Sequence, residues 1–344
     1  MNNRGRTRYV VWSAGAVLVL FAGCLFFGSV SIPASSVWRI LMGAEEMSTW
    51  RFIVLESRLP QALTALFAGA ALAVSGLMLQ TVFNNPLAGP SILGVDSGAS
   101  LGVALVMLLL GGTVGGSGGV MMSGYLAVVA GAFLGAVAVL GIIILFSMVV
   151  RSNVMLLIIG IMVGYMASSV ISLLNFFAAP DGVYSYMLWG LGDFSGVSFR
   201  RLPLFCGLIV VGLSMAIGLI KPLNALLLGE RYAANLGVHV RRVRILMLLC
   251  TGLLTAVSTA FCGPVAFIGL AVPHLARLLT GSSDHRLLLP VTLLIGSGIA
   301  LLCNLICLLP GESGVIPLNA VTPLIGAPVI IYVIINQRKI QYFN

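Results

Sequence analysis

Long apolar stretches alternate with short polar segments along almost the whole chain. Hydrophobic residues make up 60% of the sequence and charged residues only 8%, whereas a soluble globular protein carries about 25% charged residues. A bilayer core requires about 20 consecutive apolar residues for each helix that crosses it. The pattern therefore predicts an all-α, polytopic membrane protein.

Counting apolar stretches of that length predicts ten transmembrane helices. The predicted spans are residues 9–30, 59–82, 92–111, 122–150, 154–178, 202–220, 243–262, 264–280, 286–309 and 319–336. Inside three of these spans, glycine pairs have the G-x-x-x-G spacing that lets helix backbones approach closely. Because spans recur without a long soluble insertion, residues 1–344 are predicted to form a single transmembrane domain.

The basic residues predict the orientation in the membrane. An even number of spans places both termini on one side, which would carry most of the 18 basic residues. The other side would carry only Arg39, Arg51, Arg58, Arg200 and Arg201. Since basic loops are retained in the cytoplasm, both termini are predicted to be cytoplasmic. The net charge of +9 therefore indicates membrane topology and not nucleic-acid binding.

The segment Lys221–Arg244 is a strongly polar loop between two apolar spans. Its basic residues place it on the cytoplasmic side. Six of its residues recur at helical spacing: Leu226, Leu227, Glu230, Ala233, Ala234 and Gly237. Gly237 stands where a glycine commonly ends a helix. The loop therefore predicts a short helix along the cytoplasmic face that is offered to a partner protein.

The segment Asn84–Ala99 cannot form one continuous helix, because Pro86 and Pro90 lack the backbone donor that a helix needs. Such a break indicates either a constriction of a transport path or a tight hairpin between packed helices. Asp96 is the only acid inside an apolar span. It is either a functional residue or an acid placed to suit the dipole of the helix that it begins.

The chain lacks the motifs of the common ATP-binding and hydrolytic sites. Its only lysines, Lys221 and Lys339, do not follow a glycine-rich phosphate loop. Cys303 and Cys307 share a helix face without a third ligand nearby, which favours packing over a metal site. His274 and Arg277 are interpreted as a structural pair. An intramembrane enzyme is therefore not favoured. An ion-gradient-driven transporter is kept as an alternative, although such carriers usually need more intramembrane ionisable groups than Asp96.

Several longer motifs resemble the FecCD-type permease subunits of ATP-binding-cassette importers for ferric siderophores, haem and cobalamin. The resemblance covers about residues 50–337. The motifs are R-L-P (58–60), G-A-A-L-A-V-S-G-L-M-L-Q (69–80), N-P-L-A-G-P (85–90), L-G-V-D-S-G-A (93–99), L-G-E-R-Y-A-A-N-L-G-V (228–238), G-P-V-A-F-I-G-L-A-V-P-H-L-A-R (263–277), D-H-R (284–286) and V-T-P-L-I-G-A-P (321–328).

The resemblance implies the type II importer permease architecture. Two permease copies would form a homodimer in the lipid bilayer of the bacterial cytoplasmic membrane, with the transport path along the dimer axis. Two ATP-binding-cassette ATPase subunits would bind the cytoplasmic face. A periplasmic or lipoprotein substrate-binding protein would dock outside. The permease itself would bind no cofactor or metal, and ATP would be used by the partner ATPase.

The resemblance also implies three sets of site residues. The residues implied to couple to the ATPase are Leu228, Gly229, Glu230, Arg231, Ala234, Leu236 and Gly237. Those implied to form the cytoplasmic gate are Asn85, Leu87, Asn153 and Val154. Arg58 matches a docking arginine for the binding protein. Gln61 replaces a second docking arginine, while Asn304 and Leu308 also depart from the family pattern.

The topology can be tested by labelling cysteines from outside intact cells. A cysteine introduced at Ser185 should react with an impermeant maleimide, because residues 179–201 are predicted to lie outside. A cysteine introduced at Asn235 should stay unlabelled until the cells are opened. The reverse result would overturn the predicted orientation.

Overall fold

The computed structural model describes residues 3–44, 47–109, 121–150, 152–309, 311 and 314–335. Within these ranges the chain forms helices and turns, and no β-strand. The helices are α1 (Asn3–Phe26), α2 (Ala34–Leu41), α3 (Ser48–Phe52), α4 (Leu59–Val82), α5 (Val95–Ala104), α6 (Met121–Val149), α7 (Asn153–Phe177), α8 (Pro180–Gly190), α9 (Leu202–Gly218), α10 (Ile220–Leu226), α11 (Glu230–Asn235), α12 (Val240–Cys262), α13 (Ile268–Thr280), α14 (His285–Cys307) and α15 (Leu318–Ile335). The predicted all-α membrane architecture is therefore confirmed.

Six helices in the described ranges are long and apolar enough to cross a membrane, and a seventh candidate is the pair α9–α10, bent by 52°. Three further apolar helices are shorter: Val95–Leu109, Ile268–Thr280 and Leu318–Val333. Each predicted span falls on one of these ten segments. The exact count of ten crossings stays a prediction, because the three shorter helices do not reach the usual spanning length.

Helix α4 lies at the centre of the bundle and packs against α9, α12, α13 and α14. Two glycines bring it into backbone contact with its neighbours. A Cβ atom at Gly76 would lie 1.7 Å from the carbonyl oxygen of Gly269 in α13, and one at Gly69 would lie 2.3 Å from that of Gly296 in α14. At these crossings no side chain separates the helices, so α4 has little freedom to shift.

Helices α5 and α6 form a second close pair. The predicted small-residue motifs meet there, since Gly98 packs against Gly135 and Gly102 against Gly131. Gly160 of α7 packs against the backbone of Ile92 and Leu93, in the connection between α4 and α5. The close packing predicted from the G-x-x-x-G spacing is thus confirmed within one chain.

The chain interrupts its helices at two places inside the bundle, after α4 and after α12. After Val82 the chain turns through Asn84, whose φ is +45°, and a short 3₁₀ turn Pro90–Leu93 precedes α5. After Cys262 the chain is extended, and α13 begins beyond Phe267, whose φ is +68°. Because backbone groups at membrane depth need partners, both breaks are lined by side-chain hydrogen bonds.

The prediction of one short helix between Leu226 and Gly237 is wrong, because the segment is interrupted. The segment forms two short helices, α10 and α11, separated by a turn in which Gly229 has a φ of +97°. A left-handed glycine interrupts the helical hydrogen bonds, and periodicity alone does not detect it. The structure also contains α8, in the polar connection 179–201, where no helix was predicted.

The contact between α4 and α13 predicts a size limit at Gly76. Gly76→Ala places a methyl group against the backbone of Gly269, and overpacking of this kind destabilises a protein by about 1–3 kcal/mol. Gly141→Ala in α6 is the matched control, because no described atom beyond its own stretch of helix lies within 4 Å of the position that its Cβ would take. Thermal unfolding in detergent should show a lower midpoint for Gly76→Ala alone. Equal midpoints would contradict the close contact.

Candidate coupling and gate site

The candidate coupling residues lie together on one end of the bundle. Each of the seven is exposed: Leu228, Gly229, Glu230, Arg231, Ala234, Leu236 and Gly237. Leu228 is 60% exposed and Leu236 is 59% exposed, so two large apolar side chains project from a polar loop. Exposed apolar groups rimmed by polar ones are typical of protein interaction surfaces.

The turn after α11 has the geometry that the sequence predicted. The amide of Val238 donates to the carbonyl of Ala233, and the amide of Gly237 donates to that of Ala234. This pair of bonds is a Schellman motif. It requires a left-handed residue at Gly237, whose φ is +83°. Gly237 is therefore confirmed as the residue that ends the helix.

Glu230 anchors α11 to the rest of the bundle. Its Oε1 atom accepts a hydrogen bond from the Arg244 guanidinium at 2.6 Å and another from Asn153 Nδ2 at 3.1 Å. Arg244 is buried near the start of α12, whereas the Glu230 side chain is 43% exposed. The link is thus partly open to solvent.

Asn153 connects this anchor to the end of α4. Besides Glu230, its Nδ2 atom donates to the carbonyl oxygen of Val82 at 3.1 Å. That carbonyl belongs to the last turn of α4, where helical carbonyls have no partner within the helix. One amide group therefore joins α11, α7 and α4, three residues before Asn85.

The predicted gate residues surround this junction. Asn85 Oδ1 accepts from the amide of Leu87 at 2.9 Å, which forms a tight turn around Pro86. Leu87 is 43% exposed and Val154 is 63% exposed. The structure brings the first turn of α7 against the end of α4 through Asn153. Their role as a gate stays a prediction.

A layer of buried polar residues supports the end of α4, and sequence reasoning missed its function. Gln80 accepts from Arg277 at 2.5 Å and donates to the carbonyl of Leu270 at 3.2 Å. His274 Nε2 donates to the carbonyl of Pro86 at 2.8 Å. These bonds tie α13 to both sides of the gate turn. Arg277 was predicted only to be part of a structural pair with His274.

A second branch of this layer connects α10 to α4. His285 Nδ1 donates to Asn224 Oδ1 at 2.8 Å, and Thr81 lies 2.9 Å from His285 Nε2. Asn224 also donates to Asp284 at 2.8 Å. The D-H-R sequence at 284–286 was the only signal for this branch. Its partners lie at least 60 positions away in the chain.

At the opposite end of the bundle, Arg58 is buried rather than exposed. Its guanidinium donates to the carbonyls of Leu25 at 2.9 Å and Phe26 at 3.0 Å, and also to that of Val30. These carbonyls lie at and beyond the end of α1, where they lack helical partners. The burial supports a structural role for Arg58. Its docking role stays a prediction that the geometry does not favour.

The three residues that depart from the family pattern, Gln61, Asn304 and Leu308, line one cavity beside Arg58. Gln61 Nε2 donates to Asn304 Oδ1 at 2.9 Å, and both residues are buried. With Leu308 and the exposed Asp193 they line a cavity of about 360 Å³. A neutral amide pair therefore occupies the position where the resemblance implies charged residues. Gln61 is too buried to be the main contact of a docking surface.

Known proteins match nearly the whole chain. The model of the FecCD transport family matches residues 16–336. The vitamin B12 import system permease protein BtuC of Yersinia enterocolitica is 36% identical over 331 residues, which cover 95% of this chain and 93% of the relative. The BtuC protein of Citrobacter koseri is 35% identical over 333 residues, which cover 96% of each chain.

A solved structure has the same fold. It shows a metal-chelate type ABC transporter in an inward-facing conformation and superposes with a TM-score of 0.83 at 29% sequence identity. The match covers 96% of this chain and 99% of the other.

The burial of Arg58 predicts a structural effect that does not depend on salt. Arg58→Met keeps the side-chain length and leaves the carbonyls of Leu25, Phe26 and Val30 without their donor. Each buried acceptor that is left unsatisfied destabilises the folded protein by about 1–3 kcal/mol. The midpoint of thermal unfolding should therefore fall. Arg200→Met, at an exposed position on the same face, is the control.

The salt dependence separates this role from docking. A surface ion pair with a partner weakens as ionic strength rises, whereas the internal bonds of Arg58 are shielded from solvent. Unchanged stability of Arg58→Met, together with a salt-dependent loss of binding-protein capture, would favour docking and contradict the structural role.

Proposed function

The chain belongs to the FecCD transport family, and on that premise we propose how it works as the permease subunit of an ATP-binding-cassette importer. It is a transport subunit, and its cargo class is a metal chelate or vitamin B12-type compound. Cobalamin, haem and ferric siderophores are the candidate cargoes within that class. ATP is hydrolysed by separate partner subunits.

The observation that carries the proposal is the link made by Asn153. This residue joins Glu230, in the exposed helix α11, to the last turn of α4. A partner that moves α11 would therefore act on the end of α4, three residues before the turn Asn85–Leu87. The proposed ATPase contact is the exposed surface of Leu228–Gly237, and the proposed gate consists of Asn85, Leu87, Asn153 and Val154.

In the proposed importer, a second copy of the chain would cover the exposed side of α7. Only 22% of this apolar span is buried within the chain, and its large exposed side chains include Met162, Tyr165 and Met166. In a homodimer α7 would line a path between the copies. The two Leu87 side chains would then form an apolar constriction, which closes a path by excluding water.

The proposed orientation follows from charge. The Lys221–Arg244 face would be cytoplasmic, with both termini, and the Arg58 face would receive the substrate-binding protein. The location is the bacterial cytoplasmic membrane, where the lipid bilayer covers the apolar outer side of the bundle. An ion-gradient carrier is not favoured, because Asp96 is the only acid in a predicted span.

The coupling proposal predicts a loss of efficiency when the Glu230 link is weakened. Glu230→Gln keeps the shape of the side chain but removes the charge that holds Arg244. In the complete importer in vesicles, the amount of cargo transported per ATP should fall by about fivefold, the lower end of typical coupling energies. Asn153→Ala should produce the same change without altering the surface offered to the ATPase.

Arg241→Gln is the matched control, because Arg241 is an exposed cation on the same face, one turn from Arg244. Copurification of the ATPase is measured for every variant. An intact complex in which Glu230→Gln and Asn153→Ala transport as much per ATP as the control would contradict the coupling role of this link.

A further inference from the structure

A polar cavity that is open on one side lies between α5, α7 and α8. Its volume is about 410 Å³, and its walls include five serines, Asp96, Tyr186 and Asn319. Serines 91, 97 and 100 belong to the start of α5 and the turn before it, whereas Ser168 and Ser172 belong to α7. We call it the Asp96 cavity. None of its residues is part of the coupling or gate site.

The Asp96 cavity lies well away from the ends of α7, at membrane depth, and is open on one side. Gly94, two residues before Asp96, packs against Gly160 and Gly164 of α7. These glycines follow the start of α7 by seven and eleven residues, so they lie about 10–17 Å along a helix about 37 Å long. At this depth a polar cavity is filled by water or by a polar ligand, because lipid cannot satisfy its walls.

Both helix breaks of the fold contribute to its walls. One wall is the turn before α5, and another is the extended segment 264–266 before α13. Asn319 holds this segment, since its Nδ2 donates to the carbonyl of Pro264 at 2.6 Å and its Oδ1 accepts from the amide of Ala266 at 3.2 Å. Interrupted helices at membrane depth are a recurrent feature of substrate and ion sites in transporters.

The Asp96 carboxylate is without a cation in the described chain. Thr259 Oγ1 donates to its Oδ1 at 2.7 Å, and no described lysine or arginine forms an ion pair with it. The dipole of α5 favours an acid in its first turn, which accounts for Asp96 taken alone. It does not account for serines from two different helices that face the same cavity.

The open side of the cavity faces the proposed transport path, so groups of the cargo could enter it. Ser168 and Ser172 are exposed and lie on the α7 surface that lines the path in the proposed dimer. We propose that the Asp96 cavity is a cation-favouring binding station beside the transport path, which takes ammonium or other positively charged groups of the cargo. The hydroxyl groups around Asp96 would accept further hydrogen bonds from the same groups. The proposal rests on the proposed function.

Thiol-modifying probes of opposite charge test the station without knowledge of the cargo. A cysteine at Ser168 is treated with methanethiosulfonate reagents that carry either a trimethylammonium or a sulfonate group. The ratio of the two modification rates, corrected for their rates with free thiol, should favour the cation by at least about tenfold, because the carboxylate acts through a poorly screened cavity. Asp96→Asn should reduce the ratio to near one, and Asp96→Glu should retain it.

Ser169→Cys is the matched control. Ser169 is exposed on the same turn of α7 but does not line the cavity, so Asp96→Asn should leave its rate ratio unchanged. The chain without an added cysteine supplies the background, since five of its six natural cysteines are buried. If Asp96→Asn does not fold, Asp96→Ser serves as the second neutral variant.

Two results would overturn the proposal. One is an equal rate for both reagents at position 168 in the presence of Asp96. The other is a cation preference that survives Asp96→Asn, or that changes equally at position 169. Copurification of the ATPase is measured on the same preparations. It reports on the proposed function separately, so an importer without a cation-favouring station is distinguished from a chain that is no importer.

Discussion

The rest of the structure depends on the direct backbone contacts of α4. At Gly76 and Gly69 this helix touches α13 and α14 without intervening side chains, and both sites are closed to any larger residue. These contacts fix the position of α4 relative to α13 and α14, and therefore where Val82 and the turn around Pro86 lie. The buried bonds of Gln80 with Arg277, and of His274 with Pro86, can form only when α4 and α13 are at this separation.

The polar groups at the end of α4 differ in how firmly they are held. Gln80, Arg277 and His285 are buried, and breaking a buried polar network leaves groups unsatisfied at high free-energy cost. Glu230 is instead partly exposed and belongs to a helix of six residues. The side chain of Asn153 thus hydrogen-bonds a firmly packed helix end to a short surface helix. That arrangement suits the transmission of a partner's movement.

The local features of the chain were readable from its sequence. Apolar stretches predicted the helices, because each helix must cover a fixed thickness of lipid. Pro86 and Pro90 predicted the break after α4, and Gly237 predicted the end of α11, because both effects act through the residue's own backbone. The turn at Gly229 was missed, since helical spacing continues across it. The helix α8 was missed because a polar loop carries no clear apolar period.

Only the tertiary structure decided which distant residues meet. Asn153 and Glu230 are 77 positions apart, Gln80 and Arg277 are 197 apart, and nothing in their local sequence indicates a shared hydrogen bond. Arg58 looked like an exposed outer arginine until the end of α1 was found packed over it. The sequence left Asp96 as either a functional residue or an acid suited to the helix dipole, and only the fold shows that Ser168, Ser172 and Asn319 line a cavity with it. Hydrophobic period and backbone chemistry are properties of neighbouring residues, whereas burial and pairing depend on how whole helices pack.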